Sequence, residues 1–166
     1  MAEHRGNRWA IWDLDNCLAN DAWRIPLVDW SDGLDPLKRY AAYHAACEDD
    51  LLCHSKIFIA VNLIARPIFL TGRPSVVRSQ TEQWIFSKLG ILQPFIMMRG
   101  NTDNSTSLAL KRKMLKDLPY HGQVVAAFDD RPEIVQMYCE NGIPAMQLKI
   151  HDVDAYTHPV TKLERP

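Results

Sequence analysis

Short apolar runs that stop at polar residues are the main pattern along this chain. Four of them end at loops rich in charged, hydroxyl or glycine residues, namely residues 8–12, 67–70, 94–98 and 123–128. A fifth run, residues 145–148, precedes the C-terminal residues. Short β-type runs of this kind are typical of buried parallel strands. The pattern therefore predicts five strands.

Helical patterns lie between these runs. Residues 74–89 mix apolar and polar positions and are followed by Gly90, a favourable C-terminal stop. Residues 106–118 end before a proline, and residues 132–141 open with Pro132, which suits the first turn of a helix. Because strands and helices alternate, we expect an α/β fold, a Rossmann-like three-layer sandwich with a central, mainly parallel sheet.

The stretch between the first two predicted strands breaks this alternation. Residues 20–66 are too long for a simple crossover, and they look helical from Asp35 onward. We therefore expect a small helical cap inserted into a core that spans residues 1–150. Residues 151–166 show little pattern and are expected to form a loosely packed tail.

Composition narrows the class of protein. Of the 166 residues, 47% are hydrophobic and 23% charged, as in a soluble globular domain. The formal net charge of −1 gives no global positive field for nucleic acid, although a local basic patch is compatible with it. The longest apolar stretch, residues 57–65, is too short to span a bilayer, and no signal-peptide pattern opens the chain. The four cysteines form no CxxC pair, so we expect reduced thiols in a cytoplasmic setting.

Reactive side chains gather in the loops that follow the predicted strands. In chain order they are Asp13, Asp15, Thr71, Gly72, Arg73, Arg99, Asp103, Lys111, Asp129 and Asp130. In an open parallel sheet, ligands bind at the carboxyl ends of the strands, where adjacent loops diverge. Several carboxylates at one edge repel one another unless a cation neutralises them, and Mg²⁺ accepts carboxylate, water and phosphate oxygens. The charge pattern therefore indicates a Mg²⁺ site.

Four motifs in this order resemble those of the haloacid dehalogenase-like (HAD) phosphatases. The DLDNCLA segment (13–19), FLTGR (69–73), Lys111 and FDDR (128–131) are similar to the first to fourth motifs of that family. Their order and spacing agree across residues 9–148. A lone DxD pair would be weak evidence, whereas four motifs in order are specific.

The resemblance is closer to the phosphatase domain of phage-type polynucleotide kinase-phosphatases and to related small phage HAD proteins. Those proteins carry a TGR followed by a Thr-x-x-Trp helix, as in residues 71–84, and a DDRxxxVxMxxxxGI pattern, as in residues 129–143. They also have an Arg-x-x-x-Asp segment with a lysine twelve residues after the arginine, which Arg99, Asp103 and Lys111 match.

The resemblance implies a role for each motif residue. Asp13 would attack phosphorus and form an aspartyl-phosphate, while Asp15 would protonate the leaving oxygen and then deprotonate a water. Thr71 and Gly72 would bind phosphoryl oxygens, and Lys111 would neutralise the nucleophile and the transferring group. The implied Mg²⁺ ligands are Asp13, Asp130, the backbone carbonyl of Asp15 and, in support, Asp129.

Three positions need separate interpretation. Asn16 stands where many relatives have glycine, but asparagine tolerates a left-handed backbone, so we expect the turn to be kept. Cys17 replaces the commoner threonine, which affects local hydrogen bonding and not the reaction class. Lys111 adjoins Arg112 and Lys113, so a solvated basic helix face is an alternative, although the spacing of the motif favours Lys111.

Other charged residues have two interpretations that the sequence leaves open. Arg73, Arg99 and Asp103 could form structural ion pairs or contact the substrate. Asp129 and Asp130 could cap the following helix as well as bind metal.

The tryptophans are equally open. Trp23 and Trp30, with Arg24 between them, could stack on nucleotide bases or anchor the insert to the sheet. Trp84 is expected in the core, and Trp12 could pack either way.

The sequence thus predicts a Mg²⁺-dependent phosphomonoesterase acting on polynucleotide 3′-phosphate ends or on nucleotides, in the host cytoplasm if the chain is phage-encoded. An alternative is a phosphatase for free nucleoside monophosphates or another small phosphate ester, which the near-neutral net charge favours. An inactive HAD-fold protein that binds nucleotides or nucleic acid is a third possibility, against which the retained motif residues argue. No GxxxxGK[ST] loop occurs, so kinase activity is not expected. No pattern indicates the oligomeric state.

Overall fold

Five parallel strands form the central sheet in the computed structural model, which describes residues 7–152. In chain order the strands and helices are β1 (Trp9–Trp12), β2 (Ala19–Asn20), α1 (Pro36–Arg39), α2 (Ala41–Ala45), β3 (Leu51–Leu52), α3 (Ser55–Asn62), β4 (Arg66–Pro74), α4 (Arg78–Leu89), β5 (Phe95–Arg99), α5 (Ser107–Asp117), β6 (Val124–Asp129), α6 (Pro132–Glu140) and β7 (Ala145–Gln147). Short 3-10 segments cover Ala22–Leu27, Cys47–Asp49, Ser75–Val77 and His121–Gln123.

The strand order in the sheet is β5-β4-β1-β6-β7, with every neighbouring pair parallel. β1 is therefore the central strand, and its carboxyl end lies between those of β4 and β6. Asp13 follows β1, Thr71 lies in the later half of β4, and Asp129 ends β6. Because parallel strands share one carboxyl edge, these residues are brought to the same side of the sheet.

Side chains of the sheet alternate between two apolar layers, as the period of a strand requires. Ala10 and Trp12 of β1 face a core that includes Phe58 of α3 and Trp84 of α4. Ile11 faces the opposite core, whose helical members come from α5 and α6, namely Leu110, Met114, Leu115, Ile134, Met137 and Tyr138. Helices thus cover both faces of a parallel sheet, which confirms the predicted α/β sandwich. Trp84 is fully buried, as expected.

The boundaries of the core elements follow local chemistry. β4 continues to Pro74 and a 3-10 segment follows it, so α4 begins at Arg78, later than the predicted residue 74. Gly90 ends α4 in the left-handed conformation, with φ +68°, and its amide donates to the Phe86 carbonyl at 2.9 Å. Pro132 occupies the first turn of α6, as predicted.

The stretch between β1 and β4 is less helical than expected. Instead of one helical pattern from Asp35, it contains the short helices α1 and α2, the longer α3 and two 3-10 segments. Asp35 caps α1, because its side chain accepts hydrogen bonds from two backbone amides. The two-residue strands β2 and β3 pair antiparallel, a feature that the sequence pattern did not indicate.

The predicted C-terminal tail begins at residue 151, and from residue 153 it lies outside the described residues. Within residues 7–152, no helix has the length and apolar character needed to cross a membrane.

Candidate active site

A tight turn directly after β1 carries the first motif. The amides of Leu18 and Ala19 both donate to the Leu14 carbonyl, at 2.9 and 2.8 Å, and the Asn16 amide donates to the Ala19 carbonyl at 2.9 Å. Asn16 has φ +60°, which confirms the left-handed backbone predicted for it. The turn lets Asp13 and Asp15 point to different surroundings.

The Asn16 side chain has a second task, which sequence reasoning missed. Its Nδ2 donates to Asp130 Oδ2 at 3.0 Å, and its Oδ1 accepts from the amides of Ile150 and His151 at 3.0 and 2.8 Å. Asn16 is fully buried. It therefore ties the turn to the loop after β6 and to the last described residues of the chain.

Asp13, Asp129, Asp130 and Lys111 form what we call the acid-rich cluster. Carboxylate oxygens of the three aspartates lie within 4.8 Å of one another. Lys111 of α5 reaches this cluster from the neighbouring helix, and its Nζ donates to Asp13 at 2.6 Å, to Asp129 at 3.0 Å and to the Leu70 carbonyl. All four side chains are buried, so Lys111 is not on a solvated helix face.

The acid-rich cluster carries more negative than positive charge. Burial, together with Asp129 and Asp130, raises the pKa of Asp13 well above its ordinary value, against the pull of Lys111. Burial and Asp129 raise the pKa of Asp130 to about 7. Burial disfavours the Lys111 ammonium, but Asp129 and Asp13 outweigh it and raise the pKa of Lys111. A further cation would relieve this repulsion, and three convergent carboxylates are suitable ligands for Mg²⁺.

Asp15, Arg24, Asp50 and Arg73 form a second group, which we call the paired cluster. Arg73 donates to Asp15 at 2.6 and 3.0 Å and to Asp50 at 3.1 Å. Arg24 donates to Asp15 at 2.7 Å and to Asp50 at 2.6 and 2.8 Å. Two carboxylates and two guanidiniums thus compensate each other's charge. The Asp15 carboxylate belongs to this cluster and lies apart from the carboxylates of the acid-rich cluster.

The paired cluster holds Asp15 ionised. Burial alone would raise the pKa of Asp15, but the guanidiniums of Arg73 and Arg24 outweigh it and hold the pKa well below its usual range. The Asp15 side chain keeps 17% of its surface exposed, whereas that of Asp50 has none. Asp15 is therefore the member of the cluster that a ligand can reach.

Asp50 was missed from the sequence, and no local signal distinguishes it from its neighbour Asp49. It is fully buried, and besides the two guanidiniums it accepts a hydrogen bond from Trp23 Nε1 at 3.0 Å. Its backbone carbonyl accepts from Trp84 Nε1 at 2.9 Å. Trp23 thus contacts the paired cluster, which fits the anchoring alternative for this tryptophan.

The second-motif residues lie beside these clusters. Thr71 is buried, and its Oγ1 accepts from the Arg73 amide at 3.2 Å. Gly72 lines the cleft described below. Arg99 is directed at loop backbone, because it donates to the carbonyls of Gly72, Asp103 and Ser105 at 3.1, 3.0 and 2.7 Å. Its distance to the Asp103 carboxylate is 3.8 Å. Arg99 and Asp103 thus brace two loops and do not line the cleft, while Arg73 pairs with Asp15.

Trp12 and Cys17 are core residues. Trp12 is fully buried and stacks on Phe128, with ring centroids 4.0 Å apart. Burial raises the pKa of the Cys17 thiol, so it stays protonated and unreactive. All four cysteines are free.

A cleft of about 310 Å³ opens over both clusters. It is lined by Asp13, Asp15, Tyr40, Tyr43, His44, Gly72, Ser107, Leu110, Lys111, Asp129, Asp130, Arg131 and Ile134. The sequence motifs supplied the acids, the lysine and the glycine of this set. They did not supply Tyr40, Tyr43 and His44, which come from the insert and carry no motif.

The chain is similar to known proteins. The family described as the polynucleotide kinase PNKP phosphatase domain matches residues 8–153. A relative from Autographa californica nuclear polyhedrosis virus, a predicted bifunctional polynucleotide kinase/RNA ligase, is 25% identical over 138 residues, which are 82% of this chain and 16% of the viral protein. The chain therefore spans only a small part of that relative's length.

Solved structures show the same fold. A chain of the Pnkp1/Rnl/Hen1 RNA repair complex superposes with a TM-score of 0.64 at 24% identity, over 87% of this chain and 43% of that one. A hydrolase from Streptococcus pneumoniae TIGR4 superposes with a TM-score of 0.52 at 13% identity, over 94% of this chain and 95% of that one.

The family match covers both clusters and all four motifs, and the fold agrees with it. The chain belongs to the polynucleotide kinase PNKP phosphatase domain family and is a phosphatase of the HAD type.

Proposed function

We propose that this phosphatase is Mg²⁺-dependent, acts through an aspartyl-phosphate on Asp13, and removes the phosphate from polynucleotide 3′ ends. The observation that carries the proposal is the acid-rich cluster, in which Lys111 Nζ lies 2.6 Å from Asp13 on the floor of the cleft. Residues from three separate elements, the end of β1, α5 and the end of β6, converge there, inside the part of the chain that matches the family.

The acid-rich cluster fits a Mg²⁺ ion. Three buried carboxylates with oxygens within 4.8 Å of one another carry one lysine as their compensating cation among residues 7–152. Asp13, Asp129 and Asp130 would hold the ion, which would supply charge neutralisation for the phosphoryl oxygens. The cluster itself carries excess negative charge, and burial together with Asp129 raises the pKa of Asp130 to about 7.

The chain's own residues then divide the work. Asp13 attacks phosphorus, and Lys111 holds the carboxylate in place by its contact with Oδ1. Thr71 and the Gly72 amide bind phosphoryl oxygens beside the nucleophile. Asp15, which is ionised in the free enzyme, relays the proton of the phosphomonoester monoanion to the leaving oxygen, and in the second step it accepts a proton from the attacking water. Its two guanidinium partners fix its orientation and favour its ionised form, which is the form that accepts a proton from water.

The proposed substrate follows from the kind of relatives that match. The matching family is named for polynucleotide kinase, and the viral relative is a predicted polynucleotide kinase/RNA ligase. A second candidate, hydrolysis of free nucleoside monophosphates, is favoured by the formal net charge of −1, since a strong nucleic-acid binder is usually basic.

The test is phosphate release with Mg²⁺ from nucleoside 3′- and 5′-monophosphates and from 3′-phosphorylated oligonucleotides, beside an Asp13→Asn variant. We expect turnover of the 3′-phosphorylated ends and a fall of at least about a thousandfold in the variant. Activity that survives Asp13→Asn would refute the mechanism. Turnover of nucleoside monophosphates alone would refute the proposal that polynucleotide 3′ ends are the substrate. Absence of activity toward every phosphate ester would refute the proposed phosphatase activity.

A further inference from the structure

The wall of the cleft formed by the insert is aromatic. Tyr40, Tyr43 and His44 all line the cleft, at or next to the short helix α2. Their rings contact one another, with centroids 5.8 Å apart for the two tyrosines and 5.0 Å apart for Tyr43 and His44. The same cleft is also lined by the residues of the acid-rich cluster. A ligand with its phosphate at Asp13 would therefore meet rings with its organic part.

Tyr43 is held in a fixed position in this wall. Its hydroxyl donates to Asp21, and the Arg24 guanidinium lies 4.2 Å from its ring centroid. Arg24 also donates to the Tyr43 carbonyl at 2.7 Å and to Asp15 at 2.7 Å. The same guanidinium thus positions the aromatic wall and the proton-transfer carboxylate.

His44 gives a second, independent indication of a ligand. Its Nδ1 is buried without a hydrogen-bond partner among residues 7–152, a state that no other cleft-lining side chain shares there. Burial and the guanidiniums of Arg24 and Arg73 outweigh Asp15 and lower the pKa of His44 to about 4, so its imidazole is neutral at pH 7. A neutral imidazole both donates and accepts hydrogen bonds, which suits a sugar hydroxyl or a base edge better than a phosphate.

The ring row continues away from the cleft. Trp30 meets Tyr40 edge-on, with centroids 6.4 Å apart, and the Arg39 guanidinium lies 5.7 Å from the Trp30 ring. Tyr40 and Trp30 are both partly exposed. Aromatic rings interleaved with arginine are the groups on which single-stranded nucleic acids stack their bases.

We propose that Tyr40, Tyr43 and His44 bind the terminal nucleoside of the substrate, and that Tyr40 and Trp30 bind the base next to it. This ring row would make the phosphatase select single-stranded 3′-phosphorylated ends of at least two nucleotides over mononucleotides. The inference rests on the proposed phosphatase function and adds the part of the substrate that the motifs do not address.

The test compares kcat/KM for 3′-phosphorylated oligonucleotides of increasing length, from one nucleotide to six, with that for glycerol phosphate, which has no ring to stack. We expect kcat/KM to rise about tenfold between one nucleotide and two or three, and then to level off. Trp30→Ala and Tyr40→Ala should lower the ratio of oligonucleotide to glycerol phosphate kcat/KM by about tenfold. Tyr40→Phe keeps the ring and should keep the ratio.

Phe86→Ala is the matched control, because Phe86 is an exposed aromatic residue of α4 that does not line the cleft. Phe86→Ala should change kcat/KM neither for the oligonucleotides nor for glycerol phosphate. Thermal unfolding checks that every variant is folded. If kcat/KM is independent of length, or if the two alanine variants lower both activities equally, the ring row is not a nucleoside site although the phosphatase function stands. Absence of turnover with glycerol phosphate and with every oligonucleotide would overturn both proposals.

Discussion

The acid-rich cluster and the paired cluster start two residues apart in the same turn, yet they solve opposite electrostatic problems. Three carboxylates and one ammonium leave the acid-rich cluster with a formal charge of −2 when all are ionised. Two carboxylates and two guanidiniums leave the paired cluster neutral. Burial favours a raised pKa for both carboxyls; the guanidiniums of Arg73 and Arg24 outweigh it for Asp15, whose pKa is lowered, whereas the pKa of Asp13 stays raised.

The difference shows in which cluster the side chains of the protein compensate each other's charge without a ligand. The paired cluster is electrostatically complete in the folded chain, because both of its carboxylates have guanidinium partners. The acid-rich cluster keeps an excess of negative charge after folding, so it is the part of the site where we propose that Mg²⁺ and the phosphate bind. Two acids of one motif thus lie in opposite electrostatic surroundings, and the proposed mechanism gives Asp15 the proton transfer and Asp13 the attack on phosphorus.

The first prediction, with the largest expected effect, compares the free energies of unfolding after Asp13 and Asp15 are each replaced by the isosteric asparagine. Asp15→Asn leaves two buried guanidiniums with one carboxylate fewer, and it should lower the free energy of unfolding by about 3 to 5 kcal/mol. Asp13→Asn relieves repulsion among buried carboxylates, and without metal it should change that free energy by less than about 1 kcal/mol. Urea unfolding of both variants in EDTA measures the contrast. Equal losses in the two variants would contradict the distinction between the clusters.

The second prediction concerns Asp50, the buried member of the paired cluster. Asp50→Ala removes the acceptor of both guanidiniums and of Trp23 Nε1, and it should cost about 3 kcal/mol of unfolding free energy. Asp49→Ala is the matched control, because Asp49 is an exposed neighbour of the same type. We expect the control to stay within about 0.5 kcal/mol of the parent in the same urea titration. A loss below about 1 kcal/mol for Asp50→Ala would show that the guanidiniums do not depend on it.

The sequence predicts those cluster residues that a strand end or a motif places, and it does not predict those that only tertiary packing brings in. The acid-rich cluster was foreseeable, because Asp13, Asp129 and Asp130 directly follow apolar strands whose carboxyl ends meet at one edge. Lys111 was reached through motif spacing. The parallel sheet and its two apolar layers followed from strand and helix alternation, since that alternation is itself the cause of the layers.

The remainder of the site was not predictable in the same way. Asp50, Tyr43 and His44 come from the insert, where short helices and 3-10 segments replace the single helical pattern and no periodicity fixes which side chain points inward. From the sequence, Arg24 was a candidate for binding the substrate or for anchoring the insert. Its role in orienting Asp15 arises from a contact that tertiary packing creates.

The third prediction concerns the stabilisation of the folded chain by Mg²⁺. Mg²⁺ should bind the acid-rich cluster and raise the free energy of unfolding by about 2.7 kcal/mol at a concentration near 100 times its Kd. Asp130→Asn should reduce this gain sharply, whereas Asp117→Asn, at an exposed aspartate ending α5, should keep it. Thermal or urea unfolding with and without Mg²⁺ gives the values. An equal gain in the parent and in Asp130→Asn would place the ion elsewhere.

The fourth prediction, with the smallest effect, is a pH dependence of stability that arises from His44, which lies beside the paired cluster. Burial and the nearby guanidiniums lower the pKa of His44 to about 4, below the ordinary value of 6.5. As pH falls from 6.5 toward 4, the unfolded chain takes up a proton at this residue and the folded chain does not, so stability is lost across that window. Between pH 7.5 and pH 5 the loss attributable to His44 should be about 2 kcal/mol. His44→Gln should remove that part of the pH dependence, whereas the matched variant His121→Gln, at an exposed position, should keep it. The measurement is the unfolding free energy of the three proteins at the two pH values. Identical pH dependences in all three would contradict the lowered pKa of His44.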